Sequence, residues 1–279
     1  MDQHERHHRR LGALRSQLCR GPSGSGAASS GSISIGEKTV VLTGANRGLG
    51  LEFARQYAEA AAPIRLYACC RNPAGATELG ELAAASGGLI TVHALDVTKA
   101  DSVKALADEL SGVAIDVLIN NGAMNPDESG QQFGGDIDYD AWAETMDTNV
   151  YGVMRVTKAL LPSLLLSEQK KLIHIGSRAG SVGSQLLETG RKGQFIYRSS
   201  KAALNMVAKL LDVELAELGV LTLIIHPGHV ATDMGGNTAP LTPEQSVSGM
   251  VRCIEFLEPA LDGDANARFV WYDGRSISW

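Results

Sequence analysis

The chain is predicted to be an α/β protein: a single doubly wound parallel sheet of about seven strands with helices on both faces. Three observations support this. From residue 38 onward, short apolar runs alternate with helix-length segments. Those runs are apolar throughout, as strands covered on both faces must be. The first run also ends in a glycine-rich turn that leads directly into an apolar helical segment.

The strand candidates are 39–42, 64–70, 90–97, 115–119, 171–175, 221–226 and 268–272. Helical segments are expected at 49–61, 78–85, 100–110, 139–166, 196–217 and 243–257. No linker or repeat interrupts this pattern, so residues 37–279 are read as one domain. Residues 1–36 are rich in Arg, His, Ser and Gly and lack the apolar surface a core needs, which predicts a flexible extension. Leu11, Leu14 and Leu18 lie at helical spacing among arginines, which leaves an organelle-targeting peptide open; Asp2 and Glu5 count against it. His4, His7 and His8 have no companion ligands in an ordered frame, so no metal site is expected.

The extension carries +3 of a chain total of −6, so the remainder stands at −9. Such an acidic body is a poor binder of nucleic acid. Four cysteines, two of them adjacent at Cys69 and Cys70, form no disulfide framework, and a reducing, cytoplasmic setting is expected. No apolar run reaches the ~18 residues of a membrane span, and no signal-peptide core is evident.

The turn after the first strand reads Thr43-Gly44-Ala45-Asn46-Arg47-Gly48-Leu49-Gly50. Glycines here let the backbone turn tightly and approach a pyrophosphate, whose charge the next helix N-terminus favours. The second strand ends in Cys70-Arg71-Asn72, where an acid would hold the 2′-hydroxyl of NAD. Arg71, with Arg47, suits the 2′-phosphate of NADP instead, so NADP(H) is the expected cofactor. Asp96-Val97 ends the third strand, and Asp96 either meets an adenine or caps the next helix. Asn120-Asn121-Gly122-Ala123 ends the fourth, where the amides either trim the turn or face a cofactor cleft. Asn149 interrupts an apolar helix face, either capping a neighbouring strand or ordering water. Ser177 follows the fifth strand, and His226-Pro227-Gly228-His229-Val230-Ala231-Thr232 ends the sixth; both histidines are read as structural. Tyr197 and Lys201 are four residues apart and share a helix face. The ammonium there is expected to lower the phenol pKa and make it a poised acid.

Taken in order, these motifs resemble the short-chain dehydrogenase/reductases over about residues 38–279. The residues Thr232-Asp233-Met234-Gly235-Gly236 and the stretch 269–279 are most similar to the C-factor and sniffer-like carbonyl reductases. The resemblance implies a Rossmann-type fold and hydride transfer between the nicotinamide and a small-molecule carbonyl. It implies that Tyr197 donates the proton, that Lys201 tunes it and holds the nicotinamide ribose, that Ser177 binds the substrate oxygen, and that Asn149 positions a relay water. Thr43, Gly44, Asn46, Arg47, Gly48, Leu49 and Gly50 would hold the pyrophosphate and adenosine side, Asp96 and Val97 the adenine, and Asn120 and Gly122 the inner ribose. Pro227, Gly228, Val230 and Thr232 would hold the carboxamide end. A homodimer or homotetramer paired through the long fourth and fifth helices is likewise implied.

Two departures stand out. The family's N-N-A-G reads Asn-Asn-Gly-Ala at 120–123, so a loop needing φ > 0 at Ala123 must adjust. Ser177 and Tyr197 are twenty residues apart, longer than is usual, and the polar segment 184–194 is expected to shape the substrate entrance. The reading is an NADPH-dependent carbonyl reductase for small or moderately sized apolar aldehydes and ketones. Its alternatives are a 3-oxoacyl or steroid-like alcohol dehydrogenase/reductase and a cofactor-binding regulatory protein.

Overall fold

The computed structural model describes residues 38–126, 135–184, 193–258 and 268–279. The expected extension and most of the 184–194 segment lie outside these residues. Seven strands form one sheet: β1 (Lys38–Thr43), β2 (Ile64–Cys70), β3 (Ile90–Ala94), β4 (Val117–Asn120), β5 (Lys171–Ile175), β6 (Leu221–His226) and β7 (Phe269–Trp271). Their order is β3-β2-β1-β4-β5-β6-β7, and every pairing is parallel. This is the doubly wound Rossmann-type sheet that the sequence predicts.

The strands read as continuous apolar runs because alternate residues meet different layers. Val40, Leu42, Leu66, Ala68, Ile119, Ile173 and Ile225 pack in one cluster with α1 (Gly48–Ala58), α2 (Thr77–Ala85) and α7 (Pro243–Glu255). On the opposite face, Ile224 packs with Ala208 of α6 (Phe195–Leu215) and with Phe269. The remaining helices are α3 (Ala100–Glu109), α4 (Tyr139–Met146) and α5 (Val153–Leu165). Among the described residues, no helix is long and apolar enough to cross a membrane.

Helix starts follow local chemistry. Thr242 and Gln245 form a reciprocal capping box ahead of α7, with Pro243 at its first turn. Asp138 caps α4 by accepting from the Ala141 amide at 2.9 Å. Where one long helix is expected at 139–166, a π-helical segment, Asp147–Gly152, separates α4 from α5. β3 stops at Ala94, short of 97, because Asp96 turns its carboxylate onto the Thr98 amide at 2.9 Å and the Thr98 hydroxyl at 2.7 Å.

The strand order reverses between β1 and β4, where a crevice opens at the carboxyl ends of the strands. Thr43 Oγ1 accepts the Asn121 and Gly122 amides at 3.0 and 3.1 Å, and Asn121 Nδ2 donates to the Thr43 and Gly44 carbonyls at 3.0 and 3.1 Å. The two backbones approach so closely that a Cβ on Gly44, at φ +66°, would stand 2.7 Å from the Gly122 Cα. In contrast, neither Gly122 nor Ala123 has a positive φ, and a Cβ on Gly122 would meet nothing nearer than 3.6 Å. The exchanged Gly-Ala pair therefore needs no adjustment of the loop. Urea unfolding should show Gly44→Ala destabilised by at least ~1–2 kcal/mol from the left-handed backbone alone. Gly122→Ala should be neutral or stabilising by up to ~1 kcal/mol; equal losses at both positions would contradict this packing.

Candidate active site

The crevice is a cleft of about 390 Å³. Its walls include the glycine turn, Arg71 after β2, Leu95 to Thr98 after β3, Asn121 to Asn125 after β4, Tyr197 and Lys201 on α6, and Thr232 to Met234 after β6. Gly48, Leu49 and Gly50 from the first turn of α1 line it, and no side chain caps that helix start. A helix N-terminus with uncapped amides, beside a glycine pair that leaves no room for Cβ, fits a dinucleotide pyrophosphate.

At the other end, α6 leans on the turn after β5. A Cβ on Gly180 would stand 2.3 Å from the Lys201 carbonyl carbon, so only glycine allows this contact. The Lys201 ammonium is buried and donates to the Ile175 carbonyl, the last of β5, at 3.0 Å. Burial lowers the Lys201 pKa to about 8. Its nitrogen lies 5.8 Å from the centre of the Tyr197 ring. Ser177, also buried, hydrogen-bonds the Tyr197 hydroxyl and accepts the Ala179 amide at 3.1 Å. The structure thus brings Ser177, Tyr197 and Lys201 together on one wall.

One expectation is corrected here. Tyr197 is half-buried as a residue, yet desolvation of its hydroxyl raises the pKa, and the bond from Ser177 only partly offsets this. The phenol is therefore a protonated acid at neutral pH, not one already lowered toward it. The Asn149 side chain is engaged with its neighbours. Its Oδ1 accepts the Met124 amide at 2.9 Å, and its Nδ2 donates to the Met124 carbonyl at 2.9 Å and to Ser200 Oγ at 3.0 Å. It clamps the strand end after β4, the first of its two alternatives.

On the cofactor side, Gly44, Asn46, Arg47, Gly48, Leu49, Gly50, Arg71, Asp96, Val97, Gly122, Pro227 and Thr232 all line the cleft. Asn120 does not: its amide turns inward to Thr157 Oγ1 at 3.1 Å and His174 Nδ1 at 3.5 Å, and Asn121 takes the cleft side. Thr43, Gly228 and Val230 also stand off the wall. Thr43 bonds the turn, Gly228 supplies a φ of +86°, and Val230 bridges to Leu241. Asp96 is not the cap of α3, which begins after Lys99 without a side-chain cap. Burial pushes the Asp96 carboxyl up, but the Thr98 bonds and the charges of Arg71 and Lys99 outweigh that and hold it below its ordinary range.

Sequence reasoning missed Asp233 and Arg155. Arg47 Nη1 lies 3.3 Å from Asp233 Oδ2 in an exposed pair, and Arg155 joins Asp147 at 2.7 Å and the Val97 carbonyl at 3.4 Å. Neither is adjacent in sequence to its partner, so no local pattern could signal them.

The short-chain dehydrogenase family model matches residues 38–241. The chain belongs to this family. Within it, the chain is 38% identical over 178 residues to the C-signal of Myxococcus xanthus, covering 63% of this chain and 100% of that protein. It is 35% identical over 248 residues to a 1-hydroxy-2-glutathionyl-2-methyl-3-butene dehydrogenase of Rhodococcus sp. (strain AD45), covering 86% and 99%. Among solved structures, the carbonyl reductase Sniffer of D. melanogaster matches with a TM-score of 0.77 at 28% identity, covering 87% and 100% of the two chains. The NADPH-bound carbonyl reductase from chicken fatty liver matches with a TM-score of 0.77 at 30% identity, covering 88% and 100%. The short-chain dehydrogenase fold and oxidoreductase chemistry follow from these matches.

The Lys201 pKa has a consequence for stability. It is depressed in the folded state, so between pH about 8 and the unfolded value near 10.5 the unfolded chain binds the extra proton. Stability should therefore rise with pH across that window, by up to ~3 kcal/mol relative to Lys201→Met. Urea unfolding of the two apoproteins at pH 7.5 and 9.5, as a difference of differences, checks this; a flat difference would contradict the burial of the ammonium.

Proposed function

We propose that this short-chain dehydrogenase is an NADPH-dependent carbonyl reductase acting on small or moderately sized apolar aldehydes and ketones. The observation that carries the reading is the Ser177–Tyr197 hydrogen bond, set beside the buried Lys201 on the wall of the cleft. The cofactor supplies the hydride. Ser177 Oγ holds the substrate oxygen, and Tyr197 Oη gives that oxygen its proton as negative charge develops there. Lys201, anchored at Ile175, presents its ammonium to the phenol and to the ribose side of the cleft.

Preference for NADPH rests on Arg71, which lines the cleft close enough to Asp96 to lower its pKa, and on Arg47 across the opening. Two of the structural relatives were solved with NADPH or NADP bound, which supports the same cofactor here.

The test follows NADPH and NADH oxidation against a panel of aldehydes, ketones and 3-oxoacyl thioesters. Tyr197→Phe should lose about 10²–10⁴-fold in kcat while keeping NADPH binding. Tighter NADH binding would remove the cofactor assignment, and activity confined to thioesters would replace the substrate class. Similarity to the C-signal favours a second reading, a cofactor-binding regulatory protein. A cellular phenotype untouched by Tyr197→Phe would support it.

The chain is further proposed to form a homodimer or homotetramer. Tyr151 in the π-helical segment, Met154 at the start of α5, and Met206, Leu210 and Val213 along α6 are exposed apolar residues. Sedimentation should find an oligomer that Leu210→Glu dissociates; a monomeric parent protein would end this proposal.

A further inference from the structure

Asn205 lies one helical turn beyond Lys201, so Tyr197, Lys201 and Asn205 share one face of α6. It is buried, with 3% of its surface exposed. Among the described residues, its Nδ2 donates to the Ser177 carbonyl at 3.4 Å, and its Oδ1 has no hydrogen-bond partner. The same Oδ1 would stand 3.1 Å from a Cβ on Gly176, so the amide packs against the residue preceding the serine.

A buried amide with an unmet acceptor costs roughly 1–3 kcal/mol, which a leucine of similar volume would not. Packing alone therefore does not account for an asparagine at this position. Its one bond to protein goes to the main chain of the residue whose hydroxyl meets Tyr197. The turn carrying Ser177 is consequently held to α6 at two heights: by the Gly180 contact with Lys201 and Ala202, and by Asn205 at Ser177. The Ser177 carbonyl also accepts the Gly180 amide at 3.0 Å and Gly176 donates to the Ile225 carbonyl at 2.9 Å, so Asn205 is the bond that ties this turn to α6 at the serine itself.

We propose that Asn205 is a positioning residue that holds Ser177 in register with Tyr197. The inference rests on the reductase reading for its kinetic consequence but not for its geometry. The Lys201 nitrogen lies 5.8 Å from the centre of the Tyr197 ring; the charge of Lys201 acts on His174 on β5, and Arg178, Lys201 and His229 act on His226 on β6. None of these is altered by a change at Asn205, so a shift in the phenol reports the serine bond.

The experiment compares the holoenzyme with Asn205→Leu, and with Asn205→Ala in case the leucine variant does not fold. The expected result is a kcat about tenfold lower, with KM for NADPH within about twofold. The pH limb of kcat that Tyr197→Phe abolishes should also move to higher pH, because the Ser177 bond lowers the phenol pKa. The phenol is read without turnover by ultraviolet difference titration of tyrosinate, with each protein measured against its own Tyr197→Phe counterpart. An upward shift in Asn205→Leu or Asn205→Ala supports the assignment even if no carbonyl is reduced, in which case the reductase reading alone fails. Variants with the parent kcat and the parent phenol titration would overturn it.

Discussion

A buried lysine ammonium, bonded to the last carbonyl of a central strand, is the constraint around which this site is built. Lys201 joins α6 to β5 at Ile175, and burial lowers its pKa to about 8. Burial and the same positive charge drive His174 and His226 down to about 3, so both imidazoles stay neutral beside it. Lys201 is thus the titratable cation of that region at neutral pH. Its anchoring also requires α6 to approach the turn after β5 with no Cβ between them, the place Gly180 fills.

The glycine-turn half of the cleft is held by a different device, in which side-chain amides and a hydroxyl tie loops to one another. Thr43 and Asn121 lock the glycine turn to the end of β4, while Asn149 grips the next loop at Met124 from the π-helical segment. That segment also bonds Ser200 through Asn149, and Ser200 lies between Tyr197 and Lys201 in sequence. One amide therefore touches both the loop that lines the cleft and the helix that carries Tyr197 and Lys201. The coupling is local and steric, and needs no conformational change.

Parallel strands covered on both faces are legible in sequence because most of their residues are apolar on both faces, and Tyr197 with Lys201 is legible because helical spacing is rigid. The π-helical insertion leaves no sequence signal because one extra residue in a turn scarcely disturbs the apolar spacing of a 139–166 segment. Which of Asn120 and Asn121 faces the cleft depends on strand alternation at a boundary, where a shift of one residue exchanges the faces. Asn149, as a clamp or a water ligand, was undecidable without knowing that Met124 comes within 2.9 Å. Arg47 with Asp233 is a tertiary pairing across 186 residues.

The sign of the Tyr197 shift is the most instructive of these differences. Sequence spacing supplies the neighbouring charge but not the desolvation, and desolvation is the larger influence on the folded chain. A phenol with a raised pKa is the wrong species to act as a base at neutral pH and the right one to act as an acid. Reduction needs a proton delivered to an oxygen gaining negative charge, whereas oxidation needs the same hydroxyl already ionised. The raised pKa of Tyr197 thus suits it to proton donation, with Ser177 bonded to the same hydroxyl.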